Sequence, residues 1–218
     1  MKIAIDGPAG AGKSTLAKEL SRKLGYIYID TGAMYRSLTW KALQKNINLE
    51  DAQALFNLAQ NTKIHFRNDS DNQRVICDDM DISEEIRSPQ VSGAVSRVAS
   101  YQEVRKIMVN QQQAMGRSVS VVMDGRDIGE CVLPDAEYKF FLTANREERA
   151  RRRTEELKLQ GYSVNPELIE KDMLQRDKDD MKRDMGALKI LDDSIVIDTS
   201  NLTIDQVLEK ILSIIQED

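Results

Sequence analysis

The sequence predicts an α/β protein in which a parallel β-sheet is covered by helices on both faces. Short apolar segments of strand character alternate with longer segments of helical periodicity. Several of the former are rich in β-branched residues, as in SVSVVMD at 118–124 and SIVID at 194–198. Strands that alternate with helices favour a parallel sheet. Ligands of such sheets bind at the carboxyl ends of the strands, where Asp6, Asp30 and Asp124 fall, so we expect these carboxylates to gather at one site.

The first strand, KIAID at 2–6, leads directly into GPAGAGKS at 7–14. This segment fits G-x-x-x-x-G-K-[ST], a phosphate-binding P-loop, and Leu16 and Leu20 begin the apolar face of the helix that must follow it. Glycines let backbone N–H groups converge on an anion, the lysine binds the outer phosphates, and the serine hydroxyl suits Mg²⁺. The motif therefore predicts a nucleoside triphosphate site, with Ser14 as the metal ligand.

The remaining predicted elements continue the alternation. Strands are expected at 26–29 and 137–142, and helices at 33–45, 50–60, 89–100, 101–115 and 166–184, with a final helix whose apolar face holds Leu208, Ile211, Leu212 and Ile215. TKIHFR, QRVICDD and MDIS are typical of short strands, separated by polar turns such as RNDSDN at 67–72. We therefore expect one unit over 1–218 that carries a small β-rich insertion at about 62–90.

Composition argues against several classes of protein. The net charge of −5 disfavours a general nucleic-acid binder, which would normally be basic. Cys77 and Cys131 lie far apart and no secretion signal is recognisable, so we expect reduced cysteines and a cytoplasmic location. The one histidine, His65, lies in an alternating segment, and we interpret it as structural. No apolar run approaches membrane-spanning length.

The segment DTGAMYR at 30–36 allows two interpretations. An arginine close to the P-loop could bind the phosphate of a second substrate, and Arg36 could supply it. Alternatively the segment is only a capped helix start, with Asp30 or Thr31 as the cap and Tyr35 in the core. The residues alone leave both interpretations open.

The segment VVMDGRDIG at 121–129 places polar residues directly after a buried strand. Asp124 ends the strand and could act on a bound metal through water molecules. After the turn at Gly125, Arg126 and Asp127 could pair with each other or contact substrate, and we favour substrate contact.

Five arginines lie in one charged helical segment: Arg146, Arg149, Arg151, Arg152 and Arg153. Interleaved glutamates indicate a solvated face for about half of them. The others could close as a lid, at about 145–162, over a transferring phosphoryl group.

The segment QRDKDDMKRD at 175–184 spaces Arg176, Asp180 and Arg183 at i, i+4 and i+7, which places them on one face of the predicted helix. They could form a salt-bridge ladder of little energetic value. They could instead bind a phosphate through the arginines and a base amine through the aspartate.

With these motifs in place, the chain resembles the bacterial cytidylate kinases, a family of nucleoside monophosphate kinases. The resemblance covers nearly the whole chain and rests on GPAGAGKST, DTGAMYR, EEIR, VSRVAS, the VR of YQEVRK, DGRDIG and RDKDDMKR, in this order. It implies a P-loop kinase core with a five-stranded parallel sheet, a short lid, and a monophosphate-binding insertion that matches 62–90. It also implies phosphoryl transfer from ATP to CMP and dCMP, with Mg²⁺ as the metal and UMP as a poorer acceptor.

The same resemblance assigns the candidate site residues. The ATP phosphates would be held by Gly7, Pro8, Ala9, Gly10, Ala11, Gly12, Lys13, Ser14 and Thr15. The acceptor would be bound by Thr31, Tyr35, Arg36, Ser96, Arg105, Arg126, Asp127, Arg176, Asp180 and Arg183. Catalytic charge would come from Lys13, Arg126 and Arg176, with Arg149 and Arg153 as the lid arginines. The family often has a proline shortly before the leucine that follows the last arginine, whereas MGAL at 185–188 has none.

An acceptor phosphate oxygen is already deprotonated at neutral pH, so the predicted reaction needs positioning and positive charge rather than a general base. The alternatives are another small-molecule P-loop kinase, such as a uridylate kinase, and a nucleotide-dependent switch protein. Switch GTPases usually carry N-K-x-D, which this chain lacks, and the acidic composition disfavours a nucleic-acid-dependent ATPase. We expect small-molecule partners, neither nucleic acid nor membrane, and a monomer.

Overall fold

A computed structural model of the chain describes residues 1–68 and 73–217. The strands are β1 Lys2–Asp6, β2 Ile27–Asp30, β3 Ile64–Asn68, β4 Gln73–Cys77, β5 Met80–Asp81, β6 Val121–Asp124, β7 Tyr138–Thr143 and β8 Ile195–Asp198. The helices are α1 Lys13–Leu24, α2 Thr31–Gln44, α3 Ala52–Gln60, α4 Pro89–Val98, α5 Gln102–Gly116, α6 Arg146–Leu159, α7 Pro166–Met181 and α8 Ile204–Glu217. Most of the polar turn predicted at 67–72 lies outside the described residues.

The chain divides into two compact units. One comprises residues 1–29 and 116–218, and the other comprises residues 30–115. The first unit contains the P-loop, and the second contains the segment predicted to be the monophosphate-binding insertion, whose role stays a prediction.

The first unit is organised by a five-stranded sheet with the order β2-β6-β1-β7-β8. Strand β1 pairs in parallel with β6 on one side and with β7 on the other, so that Ile3 lies between Val122 and Tyr138. The predicted parallel sheet is confirmed. Strands β2 and β6 lie on one side of β1, and β7 and β8 lie on the other, so the order of the strands reverses beside β1. The carboxyl ends of the strands at such a point are the usual ligand position in these sheets.

Helices α1 and α8 share an apolar core with the sheet. Leu16 and Leu20 of α1 and Ile211 of α8 are fully buried, in one cluster with Ile3 and Phe140. Packing of this kind fixes the start of α1, and with it the P-loop, against the sheet. The predicted apolar face of the last helix is confirmed.

The second unit has its own core around α2 and a three-stranded antiparallel sheet, β3-β4-β5. Met34, Leu38, Leu55, Ile64 and Ile86 are among its buried residues. The three short strands predicted for this part of the chain are confirmed. His65 lies on β3 and is exposed. No helix among the described residues of the chain is long and apolar enough to cross a membrane.

Helix α7 is shorter than predicted. It ends at Met181, and Arg183 lies beyond it, so the prediction that Arg176, Asp180 and Arg183 all lie on one helix face is wrong. The backbone turns back at Gly186, which has a φ of 65°, and the N–H of Leu188 donates to the carbonyl of Asp180 at 2.9 Å. Glycine therefore makes the turn in MGAL, where the family often has a proline.

Candidate active site

The P-loop connects β1 to α1, as the motif predicts, and its glycines are required by space as well as by conformation. A Cβ atom on Gly7 would lie 2.1 Å from the carbonyl oxygen of Leu142. One on Gly10, which has a φ of +75°, would lie 2.8 Å from Cε of Met173 and 2.9 Å from the carbonyl oxygen of Arg149. Any side chain at either position would push the loop away from the residues that surround it.

Lys13 is buried in this loop, 6% exposed, and its Nζ donates to the Pro8 carbonyl at 2.8 Å. Burial, together with Arg126 and Arg176, lowers its pKa to about 7, while Asp124 and Asp6 act in the opposite direction. A lysine so strongly disfavoured in its charged form gains most from an anion, such as a phosphate, placed beside it.

Two of the three strand-end aspartates belong to this unit. Asp124 accepts a hydrogen bond from Ser14 Oγ at 2.7 Å, so the last residue of β6 is joined to the predicted metal ligand. Asp6 accepts from the backbone N–H groups of Ile128 and Gly129, both at 2.8 Å. Burial outweighs these two bonds and raises the pKa of Asp6 to about 6. Asp6 thus holds the turn after β6, and Asp124 faces the loop.

Arg126 and Arg183, both partly buried, pair with the buried carboxylate of Asp180. Nε of Arg126 lies 2.9 Å from the Asp180 carboxylate, and Arg183 pairs with its other oxygen. Burial alone would raise the pKa of Asp180, which is 1% exposed, but Arg126, Arg183 and Arg176 outweigh it and hold the pKa below its ordinary value. Asp180 therefore interacts electrostatically with all three of these arginines.

Arg149 contacts the P-loop directly. Its Nη1 donates to the Ala9 carbonyl at 3.0 Å and to Asp177 Oδ2 at 2.5 Å, and the N–H of Ala9 donates to Asp177 Oδ1 at 3.4 Å. Arg149 is 7% exposed and Asp177 is 5% exposed. One buried ion pair thus joins α6 and α7 to the tip of the loop.

The other arginines of α6 are placed differently. Arg151 and Arg146 form exposed ion pairs with glutamates, as expected for a solvated face. Arg153 pairs with Glu156 on its own helix at 2.7 Å. Arg152 donates to the hydroxyl and the carbonyl of Thr199, at 3.0 and 2.7 Å.

A cavity of about 370 Å³ lies beside the loop, in the same unit. Its wall combines polar and apolar residues, which include Gly12, Thr15, Leu16, Arg151, Arg152, Thr199, Leu202 and Ile204. Its volume lies within the range of small-molecule sites in proteins.

Five predicted acceptor residues belong to the second unit. Arg36 pairs with Asp30 at 2.8 Å, and Asp30 also caps α2 by accepting from the Ala33 N–H at 2.8 Å. Arg105 is 1% exposed, and its guanidinium lies over the Tyr35 ring at 5.3 Å. Thr31 is buried at the start of α2, and Ser96 is half-buried on α4. The interpretation of 30–36 as a helix start capped by Asp30 is therefore correct, and it leaves the phosphate-binding interpretation of Arg36 open.

Two residues that contact the P-loop are not predicted from the sequence: Asp177 and Thr199. Arg152 is predicted only as one of the five arginines of the charged helical segment, and it contacts Thr199. Thr199 directly follows β8, so the rule that placed ligands after strand ends could have found it. Its hydroxyl donates to the Ala11 carbonyl at 3.2 Å. Asp177 lies four residues after the buried Met173 on α7, a spacing that indicates an inward-facing position.

A parallel sheet with a P-loop between its central strand and the first helix, with the buried Lys13 and Arg149 at that loop, defines a P-loop phosphotransferase. The family model for cytidylate kinase matches residues 3–217, and the chain belongs to that family. The curated cytidylate kinase of Bacillus pumilus (strain SAFR-032) is 52% identical over 212 residues, 97% of this chain and 94% of that protein. The cytidylate kinase of Caldanaerobacter subterraneus subsp. tengcongensis is 50% identical over 217 residues, 100% of this chain and 95% of that protein. The resemblance stated from the motifs is confirmed.

Solved structures support the fold alone. A shikimate kinase from Bacteroides thetaiotaomicron aligns with a TM-score of 0.50 at 13% identity, over 99% of this chain and 98% of that one. At this level of identity the similarity shows a shared α/β architecture and carries no information about the substrate.

Proposed function

We propose that the protein transfers the γ-phosphoryl group of ATP to CMP and to dCMP by in-line displacement. Membership of the cytidylate kinase family over almost the whole chain carries the choice of acceptor. The buried Lys13, whose pKa Arg126 and Arg176 help to lower, supports an anion-binding centre at the P-loop. Phosphoryl transfer requires such a centre because negative charge is spread over the transferring group.

Each part of the site then has a role. The loop residues 7–15 bind the phosphates of ATP, and the cavity lined by Arg152, Thr199 and Leu202 receives its base. Lys13, Arg126 and Arg176 stabilise the transferring charge, because guanidinium and ammonium groups in a dry site bind phosphate oxygens strongly. The acceptor oxygen needs no proton removed, so no general base is assigned.

The acceptor nucleotide is bound by the remaining predicted residues: Thr31, Tyr35, Arg36, Ser96, Arg105, Asp127, Asp180 and Arg183. The segment 62–90 serves as the monophosphate-binding insertion, and 145–162 as the lid. Arg149 and Arg153 are the lid arginines, and the contact between Arg149 and Ala9 supports that role for Arg149. The monomeric state and the cytoplasmic location stay predictions.

Mg²⁺ fits the residues present. Ser14 Oγ and the Asp124 carboxylate are hard oxygen donors joined at 2.7 Å. Among residues 1–68 and 73–217 no group of three or more His, Cys, Asp or Glu side chains could hold a metal, which suits an ion that takes most of its ligands from phosphates and water. Ser14 would hold the ion and Asp124 would bind its water molecules. The ion would neutralise charge on the phosphates.

The test measures ADP release when the protein is mixed with ATP, Mg²⁺ and one acceptor at a time. The acceptors are CMP, dCMP, UMP, AMP, GMP and shikimate. Fast release with CMP and dCMP alone supports the proposal. Fast release with UMP would favour a uridylate kinase, and slow release that no acceptor accelerates would favour a switch protein.

Lys13→Ala and Arg176→Ala should each lower turnover by about a hundredfold or more while the circular dichroism spectrum is unchanged, because each removes charge from the transition state. Arg22→Ala is the matched control, since Arg22 lies on the exposed surface of α1, where it pairs with Glu19. Near-normal turnover in either purified variant would refute the charge assignment.

A further inference from the structure

The carboxylate of Asp124 is held at both of its oxygens. Ser14 Oγ donates to Oδ2 at 2.7 Å, and the phenol of Tyr28 donates to Oδ1 at 2.8 Å. Asp124 is 3% exposed and Tyr28 is 6% exposed, so these bonds are shielded from bulk water. The two donors come from α1 and β2, and they meet at the carboxyl end of β6.

The hydroxyl of Tyr28 is not explained by packing. Its ring belongs to the apolar cluster that contains Val122 and Phe140, where a phenylalanine ring would fill the same space. A buried hydroxyl costs free energy of desolvation unless it is hydrogen-bonded. A phenylalanine at this position could not make the bond that the hydroxyl donates to Asp124.

That bond restricts how the carboxylate can turn. With Oδ1 held by Tyr28, Oδ2 stays directed at Ser14 and accepts the single proton of that hydroxyl. A serine whose proton is used in this way presents its lone pairs to any other partner. Lone pairs on a fixed oxygen are what a hard cation such as Mg²⁺ binds.

We propose that Tyr28 is a positioning residue for the metal, orienting Asp124 so that Ser14 presents its lone pairs to Mg²⁺ bound with the nucleotide. The inference rests on the proposed function. Tyr28 touches neither substrate nor ion in this scheme, and its effect passes through Asp124. Partners that orient metal-binding groups typically change metal affinity or activity by about 10–100-fold when they are removed.

The experiment compares Tyr28→Phe with Tyr26→Phe, the same chemical change two residues earlier. The bond that the Tyr26 hydroxyl donates is to the sulfur of Met1, at 3.6 Å, and this bond is exposed to solvent. The measurement is the dissociation constant of a fluorescent ATP analogue, once with Mg²⁺ and once with a chelator. The Mg²⁺ concentration that gives half-maximal turnover is a second readout.

Wild type and Tyr26→Phe should gain the same affinity from Mg²⁺. Tyr28→Phe should lose about tenfold of that gain, keep its affinity in the chelator, and need a higher Mg²⁺ concentration for turnover. An unchanged Mg²⁺ gain in Tyr28→Phe would overturn the inference and leave the proposed function standing. An equal loss with and without Mg²⁺ would also overturn it, because that pattern marks a purely structural role. No Mg²⁺ gain in wild type would overturn both the inference and the metal assignment.

Discussion

Binding of ATP should draw a proton from solution at neutral and alkaline pH, because Lys13 is partly neutral in the nucleotide-free protein. With a pKa of about 7 for Lys13, about nine-tenths of the molecules carry the neutral amine at pH 8 and about one-tenth at pH 6. A phosphate charge about 3 Å from Nζ stabilises the ammonium by about 5 kcal/mol at an effective dielectric constant of about 20, which raises the pKa by about 4. The bound lysine is then charged throughout this range. The expected uptake is about 0.9 proton at pH 8 and about 0.1 proton at pH 6.

The assay is calorimetric titration with a non-hydrolysable ATP analogue and Mg²⁺, at pH 8, in buffers of different ionisation enthalpy. The slope of the observed enthalpy against the buffer enthalpy gives the number of protons taken up. Lys13→Arg should bind without this uptake, because arginine stays charged over the whole range. Lys23→Gln, an exposed change on the same helix, should retain the wild-type slope. A slope of zero for wild type at pH 8, or a larger uptake at pH 6 than at pH 8, would refute the reasoning.

Two further predictions concern buried carboxylates. Asp177→Asn leaves the Arg149 guanidinium buried without its charged partner, so it should lower the free energy of unfolding by about 3 kcal/mol and weaken ATP binding. Asp172→Asn, on the exposed face of α7, is the control and should change both quantities little. Urea unfolding measures the stability, and nucleotide titration measures the binding. Asp6, whose pKa is raised from 3.8 to about 6, contributes stability that is fully present below pH 3.8 and is lost as the pH rises through 6. The stability advantage of wild type over Asp6→Asn should therefore shrink by about 3 kcal/mol between acid and neutral pH, and an advantage that stays constant with pH would contradict the shift.

The parts of the fold that the sequence predicts correctly are those encoded by local patterns. The sheet follows from apolar runs that end in Asp6 and Asp124, and the P-loop from glycines at fixed spacing. Strand boundaries move by a residue or two because terminal residues are decided by neighbouring strands. The predicted end of α7, at residue 184, is wrong for a similar reason. The Leu188 N–H bonds to the Asp180 carbonyl from outside the helix, and helical periodicity does not report such a contact.

The candidate site is harder to predict where similar side chains on one helix differ only in their direction around the helix axis. Arg149, Arg151, Arg152 and Arg153 follow one another on α6, and each residue turns the helix by about 100°. The helix has few apolar residues that would indicate which face is buried. Only packing against α7 and the loop shows that Arg149 is inside and Arg151 outside.

The buried carboxylates explain how several positive charges can lie close together beside the P-loop. Asp180 lies between Arg126 and Arg183, and its low pKa shows that the cations stabilise its charge. The charged form of Lys13 is destabilised instead. Its burial and the cations beside it lower its pKa by more than the carboxylates of Asp124 and Asp6 raise it. The arginines are thus kept in place by charge pairing, while Lys13 gains most when an anion arrives. Replacing Asp180 would loosen the arginines themselves, whereas replacing Lys13 would remove the group whose charge depends on the nucleotide. Loss of affinity that varies with pH should therefore appear in Lys13 variants and not in Asp180 variants.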